Sequence, residues 1–133
     1  MVSVLVIDDE QMIRDMLEQA LRRFDFNVET AESALCGIAK FESHLYDLVI
    51  TDVCMPGRDG HSVVNHIRHS ERRKTPVIGV SGAPWLLQSG DFDDVLYKPF
   101  TLHLLIEKAR SLAQSQPSTD SVSLFPSRAP GAL

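Results

Sequence analysis

Runs of apolar residues that each end on a polar or charged side chain recur along this chain. Val2 to Ile7 is almost continuously apolar and β-branched, the pattern of a parallel strand covered on both faces, and it stops at Asp8-Asp9-Glu10. From Gln11 to Phe24 the positions Ile13, Met16, Leu17, Ala20, Leu21 and Phe24 recur at helical spacing, with Arg14, Asp15, Glu18, Arg22 and Arg23 on the other side. Phe26 to Thr30 alternates like a strand near a sheet edge, and Ser33 is placed to cap a helix carrying Ala34, Leu35, Ile38, Ala39 and Phe41. The next apolar run, roughly Leu45 to Asp52, ends at a carboxylate, and Pro56 with Gly57 forces a turn behind it. A helix over His61 to His69 would pack through Val63, Val64 and Ile67, before a fourth buried strand from Pro76 to Ser81. Only a short helix, Pro84 to about Ser89, fits ahead of a last strand at Val95 to Tyr97, which Pro99 stops. Thr101 then caps a final helix whose stripe is Leu102, Leu105, Ile106, Ala109, Leu112 and Ala113.

Strands alternating with helices in this way predict a three-layer α/β domain built on a parallel five-stranded sheet. Its strands all point one way, so Asp8-Asp9, Asp52, Ser81 and Lys98, which follow the first, third, fourth and fifth strands, fall on one edge. That C-terminal edge is where open parallel sheets place ligands. Carboxylates crowded there raise one another's pKa unless a cation is present, and a hard divalent ion such as Mg2+ suits oxygen ligands. Lys98 adds a positive charge and Ser81 a hydroxyl. Together they can receive a doubly charged oxyanion beside a nucleophilic carboxylate, as phosphoryl transfer to an aspartate requires. An acid after a strand often does no more than cap the next helix, and a Lys-Pro pair is common in loops. Four such residues at four strand ends favour a site.

The chain has 133 residues, 44% of them hydrophobic, enough for one domain with a real core. A net charge of −5 with both signs interspersed argues against direct nucleic-acid binding. Cys36 and Cys54 lie in a chain with no signal-like segment and no apolar run long enough to cross a bilayer, so free thiols and a cytoplasmic location are expected, with no membrane partner. From Ser115 onward serine and proline dominate, and a solvated, disordered tail over 115–133 is expected, with Val122 to Phe125 as a possible docking segment. Neither GxGxxG nor GxxxxGK[ST] occurs, which leaves dinucleotide or ATP binding unsupported.

Asp8-Asp9, the Asp52-x-x-Met55-Pro56-x-x-Asp59-Gly60 turn, Ser81 and Lys98-Pro99-Phe100 resemble, as a set, the receiver domains of bacterial response regulators. The resemblance covers about residues 2 to 113, giving a receiver domain over 1–114. It implies a flavodoxin-like doubly wound sheet of order 2-1-3-4-5, with Asp52 as phosphoacceptor. It further implies Mg2+ held by Asp9, Asp52 and the main-chain carbonyl of Cys54, with Asp8 acting through water. Lys98 would pair with the phosphoryl group, its bond to Pro99 would be cis, and the Ser81 hydroxyl would move to a phosphoryl oxygen on activation. The expected partner is a sensor histidine kinase or histidine phosphotransfer protein. Output would pass through contacts with a downstream protein, as a monomer or a phosphorylation-dependent dimer.

Three positions depart from that pattern. Val95 stands where such receivers usually carry a switching Tyr or Phe, so Tyr97 or Trp85 would have to serve instead. Lys98 follows Ser81 by only 17 positions, which shortens the fourth helix and alters the face where such domains meet partners. Cys54, two residues past Asp52, positions an attacking water poorly, so slow self-dephosphorylation is expected. Other signals are read as structural. His66 and His69 share a helix face but have no local carboxylate. Arg68, Arg72, Arg73 and Lys74 complement a helix C-terminus, and Met12 and Met16 fill the core.

The resulting expectation is a single-domain response regulator that is not an enzyme beyond self-phosphorylation from small donors and self-dephosphorylation. Two alternatives stand beside it: a pseudo-receiver-like binding module independent of phosphorylation, and a Mg2+-dependent aspartyl-phosphate phosphohydrolase. Cys54 weighs against the latter, since it occupies the place of that chemistry's general-acid aspartate. A flavodoxin-type electron carrier is a remote third.

Overall fold

A computed structural model describes residues 1–55, 60–83, 85 and 91–115. Five strands, β1 (Ser3–Ile7), β2 (Asn27–Ala31), β3 (Leu48–Asp52), β4 (Val77–Ser81) and β5 (Asp94–Tyr97), form one parallel sheet of order β2-β1-β3-β4-β5. The helices are α1 (Gln11–Arg23), α2 (Ala34–Ser43), α3 (Gly60–Arg68) and α4 (Leu102–Ser115). This is the flavodoxin-like doubly wound order that the motifs imply. Of the short helix expected over 84–89 only residue 85 is described, and the tail from 116 onward lies outside the described residues.

Because side chains alternate across a strand, β1 feeds two cores. Val4 and Val6 join Leu48, Ile50, Ile78, Val80 and Leu96 against Leu17 and Leu21 of α1 and Leu105, Ile106 and Ala109 of α4. Leu5 and Ile7 join Val49 and Val77 on the other face, against Ala34 and Phe41 of α2 and Val63, Val64 and Ile67 of α3. Caps act where the sequence places them. The Cys36 amide donates to Ser33 Oγ at 3.1 Å, and the Leu104 amide donates to Thr101 Oγ1 at 3.1 Å. Helix α1 ends as Asp25 takes a left-handed conformation, φ 69°, which a short carboxylate side chain tolerates.

Two expectations need correction. Met12 and Met16 are not core filler: they are 85% and 40% exposed, because the buried stripe of α1 is confined to Leu17, Ala20 and Leu21. Met12 lies about 140° round the helix from Leu17. Leu35 is likewise exposed on α2. The basic cluster also does more than complement a helix end. Arg68 donates to the carbonyls of Arg73 and Thr75, each at 2.7 Å, to the Asp91 carbonyl at 2.8 Å and to Asp93 Oδ2 at 2.6 Å. Arg72 donates to the carbonyls of Phe41 and His44 and stacks 4.3 Å from the Phe41 ring centroid. These two guanidiniums fasten the α3–β4 connection to the α2 end and to the segment entering β5. His66 does have a carboxylate partner, Glu42 across on α2 at 2.8 Å.

Candidate functional site

Strand register brings the site together. Ile7 of β1 lies opposite Thr51 of β3, so the residues that follow, Asp8 and Asp52, are neighbours at the point where the sheet winds in opposite directions. Both are nearly inaccessible, at 2% and 5% exposure. One device ends three of the strands. Asp8 Oδ1 accepts the Glu10 amide at 2.9 Å, Asp52 Oδ1 accepts the Cys54 amide at 3.0 Å, and Ser81 Oγ accepts the Ala83 amide at 2.9 Å. Each side chain thus bends its own backbone two residues on, turning the chain sharply off the sheet. The Asp8 carbonyl also accepts from Arg14 Nη1 at 2.8 Å, which fixes the entry to α1.

With Oδ1 committed to its turn, Asp52 presents Oδ2 to Lys98, whose Nζ donates to it at 3.4 Å. Ser81 pairs with Tyr97 in the β4–β5 register, and the next amide, that of Lys98, donates to the Ser81 carbonyl at 2.9 Å. The Lys98–Pro99 bond is cis. Lys98 Nζ also lies 3.8 Å from Glu10 Oε1. Among the described residues, Asp8, Glu10 and Asp52 form the one carboxylate group whose oxygens come within 4.8 Å of one another.

Burial pushes the Asp8 carboxyl up to about 6, against the Glu10 amide that it accepts, and the charges of Asp52 and Asp9 push the same way. Burial alone would lower the Lys98 ammonium, but Asp52, Asp8 and Glu10 outweigh it and hold the group above its ordinary value. The pocket is therefore overcharged with carboxylate, and one lysine does not neutralise it. A hard divalent cation fits such a donor set.

Of the residues singled out from sequence, Asp8, Asp52 and Lys98 meet directly. Ser81 is buried beside them, its hydroxyl engaged in the Ala83 turn. Asp9 is exposed and outside the three-carboxylate group, though its charge still reaches Asp8. Cys54 is exposed at the rim. Glu10 is the site residue that motif reading missed. Its only signal was a third consecutive acid ahead of α1. Val95 is half-buried, whereas Tyr97 and Trp85 are exposed.

The open parallel sheet and the acid–lysine pocket at its switch point define a flavodoxin-like fold with an acidic site. Residues 4–110 match the response regulator receiver domain, and the chain belongs to that family. It is 30% identical over 123 residues to Response regulator ArlR of Staphylococcus aureus, a match covering 90% of this chain and 56% of that protein. The chain therefore spans little more than half the length of the curated relatives it matches. Chemotaxis response regulator CheY4 of Vibrio cholerae superposes with a TM-score of 0.79 at 30% identity, covering 84% of this chain and 98% of that one. Response regulator TrrA of Thermotoga maritima, solved in complex with Mg2+ and BeF, gives 0.74 at 32% identity, covering 84% and 99%. No helix among the described residues is long and apolar enough to cross a membrane.

Proposed function

We propose that this receiver domain accepts a phosphoryl group on Asp52 from the phosphohistidine of a sensor kinase or phosphotransfer protein. The observation that carries this reading is the state of the Asp52 carboxylate: buried, with Oδ1 tied to the Cys54 amide and Oδ2 facing Lys98. Such a group is held in one orientation, which removes much of the entropic barrier to in-line attack on phosphorus. Asp52 Oδ2 forms the new bond as the donor's bond to phosphorus breaks. Lys98 then pairs with the phosphoryl oxygens, and Ser81 exchanges its Ala83 contact for one of them. Asp9, Asp52 and the Cys54 carbonyl would hold Mg2+, with Asp8 acting through water; Asp9 lies outside the Asp8–Glu10–Asp52 group and enters on the family motif alone. When bound, the ion offsets the negative charge that builds between the incoming phosphoryl group and these carboxylates.

Output would pass through protein contacts, by a monomer or a phosphorylation-dependent dimer, in the cytoplasm. The exposed apolar side chains Met12, Met16 and Leu102 line one groove along α1 beside the start of α4 and offer a contact surface. With Val95 at the usual switch position, Tyr97 and Trp85 are the aromatic groups free to report the change.

Intact-mass measurement after incubation with Mg2+ and a small phosphodonor tests the reading, with Trp85 fluorescence followed in parallel. One phosphoryl group is expected on the wild type and none on Asp52→Asn. No phosphorylation of the wild type would overturn the assignment and favour a phosphorylation-independent binding module.

A further inference from the structure

Glu10 occupies the N-cap position of α1, where Ser, Thr, Asp or Asn are the usual capping side chains and the longer glutamate is not one of them. Its side chain makes no capping bond. Its carboxylate is instead turned back over the strand edge, within 3.8 Å of Lys98 Nζ and within 4.8 Å of the oxygens of Asp8 and Asp52. Its side chain is 63% exposed, against 4% for Asp52, so it stands at the mouth of the pocket while the nucleophile lies at the bottom. A negative group at the mouth, facing a lysine already paired with the nucleophile, has two effects. It gives the ammonium a second, longer electrostatic contact beside the one at 3.4 Å to Asp52. It also repels any anion that enters.

We propose that Glu10 is a positioning and specificity residue of this site: it holds the Lys98 ammonium until a phosphoryl group displaces it, and its charge discriminates among donors by their negative charge. The inference rests on Asp52 being the phosphoacceptor. With an acyl phosphate, Asp52 Oδ2 bonds to phosphorus as the bond from phosphorus to the acyl oxygen breaks, and the carboxylate leaves with the electron pair. No proton need move. In the same event Lys98 gives up Glu10 for the phosphoryl oxygens. Glu10 touches neither the nucleophile nor the bond being made; it acts through Lys98.

The test compares wild type, Glu10→Gln, Glu10→Asp and Asp52→Asn in saturating Mg2+, with two small donors that differ by one negative charge: dianionic acetyl phosphate and monoanionic phosphoramidate. For Glu10→Gln, the KM for acetyl phosphate is expected to fall about three- to tenfold, as loss of one nearby charge in a partly solvated pocket requires. The KM for phosphoramidate should fall distinctly less, kcat should change little, and the melting temperature should be unchanged. Glu10→Asp, which keeps the charge, should stay close to wild type for both donors. Equal KM changes for the two donors, an unchanged KM in Glu10→Gln, or an effect confined to kcat overturns the proposal, since a merely structural residue would not sort donors by charge. A wild type that takes no phosphoryl group overturns the phosphoacceptor reading with it. A wild type that is phosphorylated, beside an inert Asp52→Asn and a Glu10→Gln that behaves as wild type, overturns this inference alone.

Discussion

Lys98 Nζ lies 3.4 Å from Asp52 Oδ2, a pairing that joins the ends of the third and fifth strands. With one partner 4% exposed and the other 28%, the contact is shielded enough to matter for the chemistry at Asp52. Lys98→Ala should leave the sheet folded and slow phosphorylation of Asp52 about 10²- to 10³-fold, the usual effect of removing a fixed group that stabilises transition-state charge. Lys98→Arg should recover little, because a planar fork does not replace a compact ammonium in this space. Time-resolved intact-mass measurement with a small donor checks both.

The pH dependence follows from Asp8. Its carboxyl titrates at about 6 in the folded domain against 3.8 in the unfolded chain, chiefly because it is buried. Between those values the folded state binds more protons, so raising the pH through this window removes stability from the metal-free protein. Urea unfolding without Mg2+ should show that fall, and Asp8→Asn should flatten it. Bound Mg2+ competes with the same proton, so its affinity should drop by up to about tenfold per pH unit below about 6. Calorimetric titration with Mg2+ across pH 5 to 7 measures the effect.

Gly60 is required by a close approach. A Cβ there would lie 2.5 Å from the Asp52 carbonyl oxygen and 2.8 Å from Val53 Cα, and neither backbone atom can rotate away. Gly60→Ala should cost about 1–3 kcal/mol, the usual range for overpacking. It should also slow phosphorylation, because the relief must come from moving the residue that carries the nucleophile. Urea midpoints and phosphorylation rates should therefore fall together.

Arg72 should prove a stability residue. It satisfies two carbonyls at the end of α2 and covers the Phe41 ring. Arg72→Ala is expected to cost about 2–3 kcal/mol in urea unfolding, from two charge-assisted hydrogen bonds and a cation–π contact. Arg72→Lys should recover less than half, since one ammonium cannot span both acceptors. The rate of Asp52 phosphorylation should be unchanged in either variant.

Much of this was legible in the chain. Parallel strands buried on both faces must be continuously apolar, and the carboxylates, hydroxyl and lysine that end them must then share an edge. Those patterns alone put Asp8, Asp52, Ser81 and Lys98 on one edge. They misplace Met12 and Met16, because helical spacing tells which residues can share a face but not how wide a stripe the sheet and neighbouring helix will cover. Complementing a helix C-terminus is all that the pattern shows of Arg68 and Arg72, because their acceptors are chiefly carbonyls of other segments, to which any residue type contributes equally.

The order of elements, the direction of the strands and the chemical character of their C-terminal edge are written in local patterns, since periodicity and chain-breaking residues act within a few positions. The choice among three consecutive acids is not local. Asp8, Asp9 and Glu10 are alike as ionisable groups. Glu10 rather than Asp9 closes on Asp8 and Asp52 because the Asp8 turn bends the backbone at Glu10, and because Lys98, arriving from the far end of the chain, supplies the charge it faces. Only the tertiary structure brings that lysine near, and only there does the electrostatic preference exist.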